Sequence, residues 1–158
     1  KPDVRLILKG IAPAADAREG CEHGVEGVYV SNHGGRQLDH GRGSLDVLPE
    51  VVEAVAGRAR ITVDGGICRG TDVVKAIALG ADDVAIGRLY CYGLAAAGTE
   101  GVVRVLEILE NEIVSCLGLL GVTAFAELEP SHVHEAPAVT EPHVFSAFPL
   151  LSLPREVY

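Results

Sequence analysis

The feature that most constrains the fold is a regular alternation of short apolar runs with segments of helical periodicity. Such alternation predicts a parallel sheet with helical crossovers, because parallel strands cannot be joined by a tight hairpin. The strands are predicted at residues 4–8, from residue 27, at 60–63 and at 83–86. The helices are predicted at residues 13–21, 46–56, 71–79 and 101–120. The chain therefore consists of four consecutive β/α units.

Four β/α units are half of a (β/α)8 TIM barrel, whose usual size is about 250 residues. Four strands could also form an open doubly wound sheet, and strand number alone does not separate the two. The positions of the polar residues favour the barrel, because barrel enzymes build their sites at the carboxyl ends of the strands. Six polar side chains lie at or just beyond these ends: Lys9, Ser31, His33, Arg36, Asp64 and Arg88.

Composition limits the class of partner. A chain of 158 residues with 48% hydrophobic residues can form a domain with a substantial core, and it contains no apolar run long enough to span a membrane. The formal charge of −9 argues against nucleic acid, which requires a clustered basic surface. The four cysteines form no CxxC pair, so neither a zinc site nor a disulfide framework is predicted. We expect a reducing compartment and a cytoplasmic location.

The chain divides into two parts by composition. Residues 1–128 carry the β/α pattern, and residues 129–158 form a proline-rich tail that is too apolar for a free linker. We expect this tail to pack across the barrel or onto a neighbouring subunit. Its histidines match no metal-ligand spacing, and no metal site is predicted. The chain begins with Lys1 and lacks methionine, so we expect it to be a piece of a longer protein.

The second strand leads into a loop rich in functional groups. Within six residues the loop presents the hydroxyl of Ser31, the amide of Asn32, the imidazole of His33 and the guanidinium of Arg36. The intervening glycine pair, residues 34–35, allows a sharp bend or the close approach of a ligand. A purely structural turn requires the glycines but neither the histidine nor the arginine. The loop is therefore predicted to be part of a functional site.

The third and fourth strands end in motifs suited to a phosphate. One ends in Asp64-Gly65-Gly66 and the other in Gly87-Arg88. Glycines expose backbone N–H groups to an anion, a helix start adds a positive dipole, and an arginine supplies a bidentate charge. Barrels commonly bind phosphate after strands seven and eight, so these strands are predicted to hold those positions and the chain to be a C-terminal half.

Three motifs, in order, resemble those of a known family. They are SNHGGRQLD at residues 31–39, DGGI at 64–67 leading into RGTDVVKA at 69–76, and IGR at 86–88. Residues 4–122 resemble the C-terminal half of the FMN-dependent L-2-hydroxy acid oxidases and dehydrogenases, a family that includes glycolate oxidase, lactate oxidase and mandelate dehydrogenase. The resemblance implies oxidation of a 2-hydroxy acid to the 2-oxo acid, with electrons passing to FMN and then to oxygen or another acceptor.

The resemblance also implies roles for individual residues. His33 matches the catalytic base, since an imidazole can accept a proton near neutral pH, and it also contacts substrate and FMN. Arg36 matches the clamp for the substrate carboxylate. Lys9 matches the cation beside flavin N1 and the C2 carbonyl, where it stabilises the charge of the reduced ring. The remaining implied FMN contacts are Ser31, Asp64, Gly65, Gly66, Arg69, Gly87 and Arg88.

One position departs from the family pattern. Members usually carry two arginines after the DGGI-type run, and here Cys68 replaces the first, which is the one expected on the phosphate. Either Arg69 substitutes for it, or Arg88 and backbone amides hold the phosphate without it. This departure changes how tightly the chain is expected to bind FMN more than it changes the expectation that FMN is the cofactor.

The resemblance further implies partners that the chain does not contain. These are an N-terminal half of the same barrel, which supplies further Tyr, Arg and Asp residues, and other copies in a homo-oligomer, for which a tetramer is favoured. Two alternatives remain open at the level of sequence. One is another phosphate-cofactor barrel enzyme of the IMP dehydrogenase kind, and the other is a non-catalytic flavin-binding barrel.

Overall fold

The computed structural model describes residues 4–136. Its four strands are β1 (Ile7–Ile11), β2 (Gly27–Val30), β3 (Arg60–Val63) and β4 (Asp83–Val84). Its helices are α1 (Ala14–Glu22), α2 (Ser44–Val55), α3 (Gly70–Ala78) and α4 (Arg88–Leu120). Strands and helices alternate along the chain as the sequence pattern predicts.

The order of the strands distinguishes between the two predicted architectures. The sheet has the order β1-β2-β3-β4, and every pair is parallel. In a doubly wound sheet the strand order reverses at a switch point, whereas neighbouring barrel strands follow one another in sequence. These four strands therefore form a segment of a barrel, and the doubly wound alternative is wrong.

The core lies between the sheet and the helices that cover its outer face. Val28 and Val30 of β2 alternate with Tyr29, and both valines are almost fully buried. They pack with the matching residues of β3 and with the apolar side of α2, whose buried members include Val47, Leu48, Val51 and Val55. Burial of each such side chain contributes roughly 1.5–3 kcal/mol. Tyr29 and its neighbours in register point to the inner face, where the polar residues gather.

The first strand lies further along the chain than the predicted residues 4–8. Residues Val4 and Leu6 are exposed, and pairing with β2 begins at Ile7. The strand continues past Gly10, where the register shifts and φ is +92°. The glycine forms a bulge instead of ending the strand, which is why the sequence pattern placed the end too early.

The last helix is longer than the predicted 101–120 and is broken. It begins at Arg88 and is interrupted at Ala97 and Gly98, where φ is −152° and +59°. The two parts fold onto each other so closely that a Cβ on Gly101 would lie 1.9 Å from the carbonyl oxygen of Gly93. These glycines weaken the helical periodicity, so the sequence reveals only the second part. The structural consequence is that a helix begins at Arg88, with only residues 85–87 between it and the end of β4.

The segment after α4 returns to the body of the domain. Short 3-10 turns at Phe125–Glu127 and Pro130–His132 contact α3. Most of the predicted tail, residues 137–158, lies outside the described residues, and its packing stays a prediction. Within residues 4–136, no helix combines the length and the apolar character needed to cross a membrane.

Truncation of the core should destabilise the domain strongly. Leu48 is 0% exposed in the centre of the core, so Leu48→Ala is expected to lower the free energy of unfolding by about 2–5 kcal/mol. Leu38 is 79% exposed, and Leu38→Ala is the matched control, expected within about 0.5 kcal/mol of the unmodified protein. Urea titration followed by circular dichroism measures both, and equal losses would contradict the assigned core.

Candidate active site

The loop after β2 has an unusual backbone that short hydrogen bonds hold in place. His33, Gly34 and Gly35 all have positive φ, at 56°, 67° and 73°. The Gly34 N–H donates to Asn32 Oδ1 at 3.0 Å, and the His33 N–H donates to the buried Ser31 hydroxyl at 3.1 Å. A left-handed conformation costs a non-glycine residue about 1–3 kcal/mol. The loop therefore retains a strained histidine, a condition that occurs mainly at functional sites.

This backbone brings the two predicted substrate residues together. The Arg36 Nε–H donates to the His33 carbonyl oxygen at 3.1 Å, and both side chains are exposed. The imidazole lies over the bulge in β1, because a Cβ on Gly10 would lie 3.0 Å from His33 Cε1. The glycine in β1 and the loop after β2 thus form one surface. The terminal nitrogens of Arg36 remain available for an anion, since only Nε is used in this hydrogen bond.

A polar cluster lies beside this loop at the carboxyl ends of β1, β2 and β3. The Lys9 ammonium lies 2.6 Å from Asp64 Oδ2, donates to Ser31 Oγ at 3.2 Å and sits 3.6 Å from the centroid of the Tyr29 ring. Burial works to raise the pKa of Asp64, but hydrogen bonds from Lys9, Ser31 and Tyr29 outweigh it and lower that pKa. Asp64 is therefore held as a carboxylate that accepts from three side chains.

Tyr29 is the member of this cluster that sequence reasoning missed. Burial, followed by the hydrogen bond to Asp64, raises the pKa of its hydroxyl. The available signal was a single hydroxyl-bearing residue in the apolar run Gly-Val-Tyr-Val, next to the strand that carries Lys9.

The ends of β3 and β4 leave open backbone near an unpaired arginine. A Cβ on Gly66 or on Gly87 would meet no atom within 4 Å. Arg88, the first residue of α4, lies with Nη2 3.5 Å from the position of a Cβ on Gly34. No carboxylate within residues 4–136 forms an ion pair with Arg88. Exposed glycine amides at a helix start beside a free guanidinium are suited to a phosphate.

Arg69 occupies a different position. Its guanidinium forms an ion pair with Glu112 of α4 at 2.7 Å, and the same carboxylate accepts from the Gly70 N–H at 2.7 Å. Asp72 caps the amides of Cys68 and Arg69 at 3.1 Å and 3.0 Å. The start of α3 is thus already neutralised by two carboxylates. The prediction that Arg69 contacts phosphate stays a prediction, and it would require the Glu112 pair to open.

Comparison with known proteins identifies the family. The sequence profile described as FMN-dependent dehydrogenase matches residues 1–135. The chain belongs to this family. A peroxisomal (S)-2-hydroxy-acid oxidase from Oryza sativa subsp. japonica is 51% identical over 128 residues, and an L-lactate oxidase from a Nostoc species is 46% identical over 129 residues. These matches cover 81% and 82% of the chain but 35% of each relative, so the chain spans about a third of their length.

A solved structure supports the same assignment. A crystal structure of a mandelate oxidase superposes with a TM-score of 0.78 at 44% identity, over 81% of this chain and 39% of that one. The predicted TIM-barrel segment and the resemblance to 2-hydroxy acid oxidases are confirmed. The alternative of an IMP dehydrogenase-like enzyme is set aside. FMN is the cofactor of this family, and another mandelate oxidase structure contains an FMN adduct.

The Lys9–Asp64 pair predicts a pH dependence of stability. Because the pKa of Asp64 is lower in the folded chain than its ordinary value of 3.8, its stabilising effect is present above that value. The effect is lost as the pH falls through the lowered pKa. Asp64→Asn should therefore unfold more easily near neutral pH and lose less additional stability in acid than the unmodified chain. Urea titrations across the acid range test this, and parallel pH profiles would contradict it.

Proposed function

We propose that this chain supplies the C-terminal half of an FMN-dependent enzyme that oxidises an L-2-hydroxy acid to the 2-oxo acid. Electrons pass to FMN and then to oxygen or another acceptor. The observation that carries the proposal is the contact between the predicted base and the predicted clamp, since Arg36 Nε donates to the His33 carbonyl at 3.1 Å beside the Lys9–Asp64 pair. Relatives named as lactate and 2-hydroxyacid oxidases support this substrate class.

The side chains of the loop account for substrate binding and proton transfer. The terminal nitrogens of Arg36 can hold a carboxylate through two parallel hydrogen bonds, which fixes the carbon next to it. His33, on the same turn, is placed to accept a proton from the bound acid. Lys9 would supply the positive charge that stabilises FMN once it is reduced. Bound FMN supplies the two-electron acceptor that none of these side chains can provide.

The described residues also fit the phosphate end of FMN. Arg88 is unpaired within the described part of the chain, and Gly66 and Gly87 leave room for an anion to approach the backbone. We propose that Arg88 and the backbone around Gly65, Gly66 and Gly87 hold the phosphate. Cys68 contributes no charge, since burial raises the pKa of its thiol.

An N-terminal half of the barrel is the proposed partner. The inner face of the sheet carries side chains that a complete barrel would cover, including Ile7, which is 59% exposed. On the outside, Leu94, Val103 and Leu106 of α4 are also exposed. Strands β1 and β4 each lack a neighbour on one side within the described residues. Four further β/α units would pair with both edges and close the barrel. We also propose that the complete protein forms a homotetramer and is located in the cytoplasm.

Replacing the proposed base should separate cofactor binding from turnover. In the complete barrel, His33→Asn is expected to bind FMN yet fail to bleach the flavin absorbance when 2-hydroxy acids are added without oxygen. His23, the residue that follows α1, is exposed, and His23→Asn is the matched control that should bleach normally. Normal bleaching by His33→Asn would contradict the role of His33. A yellow unmodified protein that no acid bleaches would instead support the non-catalytic alternative.

The phosphate assignment predicts opposite effects of two substitutions on FMN affinity. Arg88→Gln removes a charge-assisted contact and should raise the dissociation constant by about 10–100-fold. Cys68→Arg adds a charge where the family usually has one and should lower it. Arg104 is exposed on the distal part of α4 and pairs with Glu107, so Arg104→Gln is the control. Fluorescence titration of the apoprotein with FMN measures all three, and an unchanged constant for Arg88→Gln would refute the assignment.

A further inference from the structure

We propose that Tyr29 is a positioning residue that fixes the Lys9 ammonium and thereby raises the reduction potential of bound FMN. This inference rests on the proposed function, because it requires FMN to bind beside Lys9. It assigns a task to a residue that neither the motifs nor the phosphate site uses.

The register of the sheet places Tyr29 beneath the site. Tyr29 pairs with Lys9 on one side and with Thr62 on the other, so all three belong to one row across the sheet. Its neighbours Val28 and Val30 point outward into the core, which directs Tyr29 to the inner face. The ring is therefore held by the sheet itself, whereas the Lys9 chain above it has four rotatable bonds.

The ring and the hydroxyl act on Lys9 in different ways. The Lys9 Nζ lies 3.6 Å from the ring centroid, a cation–π geometry that attracts the ammonium. The hydroxyl hydrogen-bonds to the Asp64 carboxylate, which also holds Lys9 Nζ at 2.6 Å. Asp64 competes with any other group for the charge of Lys9. By satisfying part of that carboxylate, Tyr29 leaves more of the ammonium's charge available to a ligand.

The consequence for FMN follows from charge. Reduction of FMN places negative charge on the flavin ring, and a fixed cation beside the flavin stabilises the reduced form. Loss of the Tyr29 ring would remove the attraction that opposes Asp64 and leave the ammonium held by Asp64, and loss of the hydroxyl alone would strengthen the hold of Asp64. Both changes favour oxidised FMN. Ser31 accepts from both Lys9 and the His33 N–H, so turnover alone would not separate an effect on Lys9 from an effect on the loop.

The test measures the midpoint potential of FMN in the complete barrel by anaerobic dye equilibration. Tyr29→Leu should lower the ratio of reduced to oxidised FMN at a fixed potential by about tenfold, which is about 30 mV for a two-electron couple. Tyr29→Phe keeps the ring and should cause a smaller decrease of the same sign. Tyr92 is exposed on α4, and Tyr92→Phe is the control that should leave the potential unchanged.

A double substitution decides whether the effect acts through Lys9. In a Lys9→Met background, Tyr29→Leu should cause no further shift, because the group it positions is absent. The same shift in both backgrounds, or an unchanged potential in Tyr29→Leu with FMN bound, would overturn the inference. If Tyr29→Leu does not fold, an unchanged potential in Tyr29→Phe overturns the role of the hydroxyl. An unmodified protein that binds no FMN would refute the proposed function instead.

Discussion

The ion pair between Lys9 and Asp64 is the interaction on which the site depends. These residues are 55 positions apart, at the ends of two strands separated by β2, and the pair spans that strand at 2.6 Å. Tyr29 and Ser31, both from β2 and its end, complete the cluster beneath and beside the pair. Because Ser31 also accepts from the His33 amide, the strand ends and the functional loop form one hydrogen-bonded unit.

The fold was accessible from the sequence because each β/α unit repeats a strong local pattern. The Arg60–Val63 strand was predicted at its observed bounds, since a buried β-branched run between turns has few alternatives. The juxtaposition of Lys9, Ser31 and Asp64 also followed, because the carboxyl ends of parallel strands meet at one edge. The family motifs then suggested roles for individual residues that local pattern alone could not, and those roles stay predictions.

What the sequence could not reveal depends on contacts between distant segments. The break in α4 at Ala97–Gly98 accompanies a close contact between Gly93 and Gly101, and the hydrophobic periodicity of the sequence does not indicate that contact. The pairing of Arg69 with Glu112 joins residues 43 positions apart. The sequence is the same whether the Arg69 side chain is free or paired with Glu112, so only the structure distinguishes the two states.

The left-handed turn at His33–Gly35 also limits which substitutions this loop can accept. Three successive residues with positive φ leave little choice of side chain, and the groove over Gly10 admits the imidazole only while that position lacks a Cβ. A substitution in this turn can therefore be unfavourable for the backbone conformation alone, whatever the chemical role of the side chain. Replacing any of these three residues with a β-branched one, or Gly10 with any residue that has a Cβ, would strain the turn or displace the imidazole.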